Sequence, residues 1–203
     1  MKKLKWTKKS WAILGIIIAV IVVGITAAVL LAGGEEDLGA PLLTVETPQK
    51  LSASQTAPFT LKVCISNLGE ARYPAASLCI GFDASRLEFL GVEEGNVLIY
   101  GNGDQTQLPQ WNCSIQASNE TGQINVMYLD LTGGKYAFAG ELLGEGDNIV
   151  LGLRFRLRSS ARAGDVLDVT VEDAVFAASD ENQSLAVTRQ TLKTRNGKIV
   201  VGG

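Results

Sequence analysis

The sequence of 203 residues contains no histidine, so carboxylates, thiols and aromatic rings are the candidate side chains for catalysis or ligand binding. This excludes Ser–His–Asp hydrolysis, Cys–His proteolysis and histidine-ligated metal sites. Two carboxylates across a cleft can cleave a glycosidic bond, and three acidic groups have the composition for it: Glu93-Glu94, Asp168 with Glu172-Asp173, and Asp180-Glu181. These groups border turns or the solvent side of predicted strands, where acidic residues are simply solvated. The sequence therefore predicts no catalytic residues and no enzyme activity.

Metal binding and thiol chemistry have little support in the residue spacing. The acidic loops 101–104 and 144–148 lack the D-x-[DN]-x-[DN]-G order of a calcium loop. Cys64, Cys79 and Cys113 are odd in number and contain no C-x-x-C pair. We therefore predict no metal ion or other cofactor on this chain. We also predict three unpaired thiols, as in a protein from a reducing or anaerobic habitat.

Sugar binding would require exposed aromatic rings, and four rings are available for it: Tyr100, Trp111, Tyr128 and Tyr136. The core of one ordinary domain and the edge of that core would contain as many aromatic rings, so their presence alone does not indicate a sugar-binding site. A carbohydrate-binding or adhesin-type surface domain is therefore kept as an alternative function.

The first 34 residues have the pattern of a membrane anchor. Residues 11–32 carry no charge, and as a helix they would span about 33 Å, enough to cross a bilayer core. Five lysines and no acidic residue occur in 1–34, and all five precede the apolar run. By the positive-inside rule, 1–10 is a cytoplasmic tail and 11–34 a single transmembrane anchor. A linker, 35–41, and an extracellular domain, 42–203, follow at the cell membrane.

Two other interpretations of the apolar run remain open. A cleaved signal peptide would have an apolar core of about 7–15 residues and a cleavage site of small residues. The best match to such a site is Thr26-Ala27-Ala28, and the stretch that ends at Ala32 is a poorer one. The run could also be a buried helix of a soluble protein.

The remaining chain is acidic and has the pattern of an all-β domain. Residues 35–203 contain 13 basic and 21 acidic residues, a net charge of −8, which argues against nucleic-acid binding. Apolar and polar residues alternate with period two, as in half-buried strands, and no stretch shows a sustained 3.6-residue period. Polar turns separate nine predicted strands of an antiparallel β-sandwich: 42–46, 59–66, 76–83, 87–92, 124–131, 150–158, 165–171, 174–177 and 198–201.

The order of motifs over 42–202 resembles that of cohesin domains, the receptor modules of cellulosomes and related surface assemblies. The resemblance is carried by 54–67, 87–95, 149–164, 196–201 and the turn Phe82-Asp83-Ala84-Ser85-Arg86-Leu87, in which Ala84 replaces the proline of the family. It implies a nine-stranded jelly-roll β-sandwich without catalytic residues. It also implies that a dockerin module docks on one flat sheet face, and that any calcium belongs to the dockerin.

The binding face is predicted on the strand 75–81 and its neighbour 124–131. Leu78, Ile80 and Phe82 must face the core, which turns small residues outward and leaves a flat surface for a rigid helix. Two polar anchor positions of the best-known cohesin class fall on Ala75 and Ser77. The neighbouring strand would add Tyr128 as an aromatic anchor and Asp130 as a polar contact. The predicted partner-binding residues are Ala75, Ser77, Cys79, Gly81, Tyr128 and Asp130.

Together these patterns predict a non-catalytic cell-surface receptor that binds a dockerin-bearing protein. Its task would be to anchor extracellular carbohydrate-active enzymes or other surface proteins. Polysaccharide would then be contacted only indirectly, through the bound partner.

Overall fold

The computed structural model describes residues 39–48, 50–69, 71–97, 110–132, 134–179 and 186–203. The chain separates into two units, Met1–Leu38 and Gly39–Gly203, and every described residue belongs to the second. The predicted cytoplasmic tail and the predicted anchor at 11–34 lie outside the described residues. Within the described part of the chain, no helix is long and apolar enough to cross a bilayer.

Two β-sheets contain most of the described chain. The strand segments in these residues are β1 (Leu42–Val45), β2 (Leu51–Ser52), β3 (Phe59–Ser66), β4 (Arg72–Tyr73), β5 (Ala75–Phe82), β6 (Leu87–Glu94), β7 (Asn112–Cys113), β8 (Gln123–Leu129), β9 (Phe138–Ala139), β10 (Ile149–Leu157), β11 (Val166–Ala177), β12 (Lys193–Arg195) and β13 (Gly197–Gly202). The five-stranded sheet has the order β12-β1-β3-β10-β6, and the six-stranded sheet has the order β2-β13-β11-β5-β8-β7. β4 and β9 form a separate pair. Neighbouring strands are antiparallel except in the pairs β1–β12 and β2–β13.

The two sheets pack face to face across one apolar core. The ring of Phe82, on the six-stranded sheet, lies 5.3 Å from that of Phe155 and 6.4 Å from that of Phe89, both on the five-stranded sheet. Leu78 and Ile80 are buried beside Phe82, as the alternation predicts. The β-sandwich predicted from the sequence is therefore confirmed.

The predicted number of nine strands is wrong, since the described residues contain thirteen strand segments. The predicted strands 165–171 and 174–177 are one strand, β11, in which a β-bulge between Val171 and Asp173 breaks the alternation. The five additional segments, β2, β4, β7, β9 and β12, are two or three residues long. Segments of this length are too short to show a period of two.

Among the described residues, an α-helix that was not predicted, α1 (Ile115–Thr121), lies between β7 and β8. Its seven residues are too few for a recognisable 3.6-residue pattern. Ser114 caps its first turn, and Gly122 ends it with a φ of 75°. The side chain of Asn119 fixes the helix to β6, because it accepts from the backbone N–H of Phe89 at 2.9 Å and donates to its carbonyl at 2.8 Å.

The turn between β5 and β6 is organised by one carboxylate. Ser85 donates to Oδ1 of Asp83 from its hydroxyl at 2.6 Å and from its backbone N–H at 2.9 Å. The hydroxyl bond is the main cause that holds the pKa of Asp83 below its ordinary value, because both bonds favour the ionised carboxyl.

Acidification should therefore lower the stability of the folded domain, because it protonates Asp83. A carboxyl whose pKa is lower in the folded than in the unfolded chain adds stability above its unfolded pKa, near pH 4, and loses it as the pH falls through the folded pKa. Ser85→Ala should weaken this effect and reduce the loss of stability below about pH 4. Urea titrations between about pH 2 and pH 6 measure it, with Ser54→Ala, in an exposed turn, as the control. Identical pH profiles for Ser85→Ala and the wild type would contradict the assignment.

Candidate partner-binding face

The outward side chains of β11, β5 and β8 form a continuous surface, called the outer face below. The strand register places them in four rows, each written from β11 through β5 to β8: Ala177–Ala75–Leu129, Val175–Ser77–Met127, Asp173–Cys79–Asn125 and Thr170–Gly81–Gln123. The middle residue of every row is small, and the flanking residues on β8 are longer. The outer face therefore has a floor of small side chains along β5.

The four predicted binding residues on β5 have the predicted orientation, but one of them is covered. Ser77 is exposed, and Ala75 and Cys79 are half-buried. Gly81 is buried because the carboxylate of Glu172 lies over it, and a Cβ at this position would overlap Glu172 Oε1. Ala75, Ser77 and Cys79 can therefore be reached from outside, whereas Gly81 cannot be reached without moving Glu172.

The prediction of Tyr128 as an exposed aromatic anchor is wrong. This side chain is 0% exposed, and its ring centroid lies 4.8 Å from that of Phe138 and 5.4 Å from that of Trp111. Its hydroxyl donates to the carbonyl of Tyr136. The even-numbered residues of β8 face the core and the odd-numbered residues face outward, so Tyr128 is a core residue.

The prediction of Asp130 as a partner contact is also wrong, because its carboxylate is used within the chain. Asp130 is 5% exposed. Its Oδ1 accepts from the backbone N–H and the hydroxyl of Thr132, and its Oδ2 accepts from the backbone N–H of Tyr136 at 3.0 Å. Asp130 therefore holds the loop that follows β8.

The sequence analysis missed the exposed apolar residues of this sheet. Met127 is 56%, Leu129 48% and Leu131 84% exposed, and they follow each other on the outward side of β8 and of the residues just beyond it. A contiguous run of exposed large apolar side chains is a mark of an interaction site. With Ala75 and Val175 these residues make the apolar end of the outer face. No local sequence signal marks them, because β8 carries large apolar residues on both of its faces.

The other end of the outer face carries two neighbouring carboxylates, Glu172 and Asp173. The bulge in β11 leaves Glu172 without a partner on β5, and consecutive residues therefore both face outward. Glu172 Oε2 accepts from Gln123 Nε2 at 2.8 Å and from Cys79 Sγ at 3.6 Å. Burial, and then the bond to Glu172, raise the pKa of Cys79, so its thiol stays protonated at neutral pH and remains the donor.

The outward face of the five-stranded sheet is different, because its charges are paired. Lys62 Nζ lies 2.9 Å from Asp147, and Arg156 lies 3.2 Å from Glu88. Such exposed pairs are well solvated and contribute little to stability or binding. The exposed apolar run distinguishes the outer face of the six-stranded sheet from this surface, and makes it the candidate binding face.

The rings considered for sugar stacking do not form an exposed platform in the described chain. Trp111, Tyr128 and Tyr136 are buried, and Tyr100 lies outside the described residues. Among the described residues, no group of three histidine, cysteine, aspartate or glutamate side chains is placed to hold a metal ion. Cys64, Cys79 and Cys113 are free thiols.

The fold and this surface define an antiparallel β-sandwich with one exposed, partly apolar sheet face. Solved structures with the same fold are cohesins. The third cohesin ScaC from Acetivibrio cellulolyticus, in complex with the ScaB dockerin, is 13% identical with a TM-score of 0.60, over 80% of this chain and 99% of that chain. CaCohA2 from Clostridium acetobutylicum is 21% identical with a TM-score of 0.53, over 81% and 92% of the two chains. A non-cellulosomal cohesin from the archaeon Archaeoglobus fulgidus is 18% identical with a TM-score of 0.53, over the same shares.

No protein-family model and no curated protein sequence matches the chain. At these identities the similarity to solved structures establishes the fold. The described domain has the cohesin fold, which confirms at this level the resemblance found in the sequence.

Proposed function

We propose that this chain is a non-catalytic receptor module that binds a dockerin-type partner through the outer face. The observation that carries the proposal is the exposed run of Met127, Leu129 and Leu131 beside the small residues of β5, on a domain with the cohesin fold. Burial of apolar surface contributes about 25 cal/mol per Å² before the costs of association. A floor of small side chains lets the backbone of a rigid helix approach closely, which keeps those costs low.

The partner, and not this chain, would carry the calcium. The sequence holds no calcium loop. The resemblance to cohesins implies a dockerin partner whose helices are loaded with calcium. Calcium would then act on binding by keeping the helical surface of the partner folded.

Capture of the partner should depend on calcium. The full chain with a C-terminal affinity tag, held in mild detergent, should retain a protein with doubled calcium loops from the native secretome. A chelator should release that protein, because its helices unfold without the ion. Mass spectrometry of both fractions measures this. Retention of the captured protein in the presence of chelator, or specific binding on a glycan array without any protein partner, would favour the carbohydrate-binding alternative.

We also propose that 11–34 anchors the domain on the outer surface of the cell membrane, with 1–10 in the cytoplasm. The uncharged run and the five lysines before it support this topology. The module would then hold dockerin-bearing enzymes or other proteins at the cell surface.

Protease added to intact cells should remove the domain 42–203 and leave the tail 1–10 protected. Detection with one tag at each terminus measures both fragments. A domain that survives until the cells are lysed would contradict the orientation. A mature chain that begins after Ala28 or Ala32 would show that the segment is a cleaved signal.

A further inference from the structure

The outer face has two chemically different ends, and we infer that they fix the direction and the side-chain pattern of the helix that binds there. The helix carries apolar side chains over Met127 and Leu129 and a lysine or arginine over Glu172 and Asp173. This inference rests on the proposed function, since it concerns the partner of the same face.

The shape of the face favours a helix that lies along the strands. The distance from β11 to β8 is two strand spacings, about 10 Å, which matches the diameter of an α-helix. The lowest line across this width is β5, with its small residues Ala75, Ser77 and Cys79. One helix therefore covers the three strands when its axis follows β5.

The apolar end is the part of the face that gains most from burial. Met127 and Leu129 lie opposite Ser77 and Ala75, and Leu131 continues the same side of the chain beyond β8. A helix that follows β5 meets these side chains in succession. Their complement is a set of apolar residues spaced by three or four positions on one side of the partner helix.

The acidic end requires a cation from the partner. Asp168, further along β11, is matched by Lys198 at 3.6 Å, whereas no described ion pair involves Glu172 or Asp173. Gln123 and Cys79 hold Glu172 over Gly81, so its carboxylate is already positioned. A neutral helix would bury two unpaired carboxylates at a high cost, and a basic side chain removes that cost.

The separation of the two ends sets the sequence spacing in the partner. From the row of Asp173 to the row of Leu129 there are four residues of β8, or about 13 Å. An α-helix rises about 1.5 Å per residue and returns to the same side after about seven or eight residues, a length of about 10–12 Å, so the basic residue lies about seven or eight positions from the farthest apolar residue. A helix in the reverse direction would place its basic residue over the apolar end and leave the carboxylates unpaired.

The test selects binders from a displayed library of calcium-loaded dockerin modules with randomised outward helix positions. The bait is the full chain in mild detergent. Selected modules should carry lysine or arginine about seven or eight positions from leucine, isoleucine, methionine or phenylalanine. Their affinity should fall at least about 10-fold for Glu172→Gln/Asp173→Asn, which keeps the side-chain shapes. Selection on Glu172→Lys/Asp173→Lys should enrich aspartate or glutamate at the same position.

The matched control for Glu172→Gln/Asp173→Asn is Glu94→Gln/Glu145→Gln, which changes the net charge by the same amount on exposed residues away from the outer face, and it should bind as the wild type. Modules that are blocked by Ser77→Arg but bind Glu172→Gln/Asp173→Asn as tightly as the wild type would overturn this inference and leave the proposed function intact. If no module is selected, or if none is blocked by Ser77→Arg, the proposed function fails and the inference fails with it.

Discussion

Tyr128→Ala should lower the free energy of unfolding of the domain by about 3–5 kcal/mol, the usual cost of truncating a buried aromatic side chain to alanine. The ring packs against Phe138 and Trp111, with centroid distances of 4.8 Å and 5.4 Å. Its removal leaves a cavity in this aromatic cluster and deprives the carbonyl of Tyr136 of a donor. Any loss of partner binding in Tyr128→Ala would then result from unfolding of the domain and not from the loss of a direct contact.

The matched control is Met127→Ala, one residue earlier on β8. Met127 is 56% exposed, so its truncation should change stability by no more than about 0.5 kcal/mol. Urea titrations of the fragment 39–203, which contains the whole described core, measure both variants. If Tyr128→Ala were as stable as Met127→Ala, the register of β8 described here would be wrong.

Ser77→Arg should weaken partner binding by about 30-fold or more, that is by about 2 kcal/mol, while the domain stays folded. Ser77 lies on the exposed floor of the outer face, between Val175 and Met127. An arginine there occupies the space that the helix backbone needs, and it places a charge beside the apolar end. The core is unaffected because the side chain points outward.

The control for bulk and charge is Ser66→Arg, which introduces the same side chain on the outward side of β3 in the other sheet. It should bind like the wild type. Calorimetric titration with the captured partner measures affinity, and thermal unfolding checks the fold of both variants. Equal affinities for Ser77→Arg, Ser66→Arg and the wild type would show that the partner binds elsewhere.

The contrast between β5 and β8 shows which parts of the site the sequence can predict. In β5 the residues that alternate with Leu78 and Ile80 are small or polar, so one assignment of faces is clearly favoured. In β8 both faces carry large apolar residues, Val126 and Tyr128 inside and Met127 and Leu129 outside. A slip of one residue exchanges the two faces of a strand. Local alternation therefore could not decide the orientation of Tyr128, and only pairing with β5 fixes it.

The acidic end of the face depends on features with no local signal. The bulge in β11 brings Glu172 and Asp173 to the same side, although strict alternation would place them on opposite sides. Glu172 can lie over Gly81 only because that position on the neighbouring strand has no side chain. The longer strands follow from their alternation, whereas this arrangement is a product of tertiary pairing.

The central claim is that a calcium-loaded dockerin docks on the outer face, and the most direct measurement is calorimetric titration of the fragment 39–203 with the dockerin modules encoded in the same genome. The account predicts saturable binding of at least one module with one-to-one stoichiometry. Binding should be abolished by chelator and strongly weakened by Ser77→Arg, and it should be retained by Ser66→Arg. Absence of binding by every module in calcium, or binding that Ser77→Arg leaves unchanged, would contradict it.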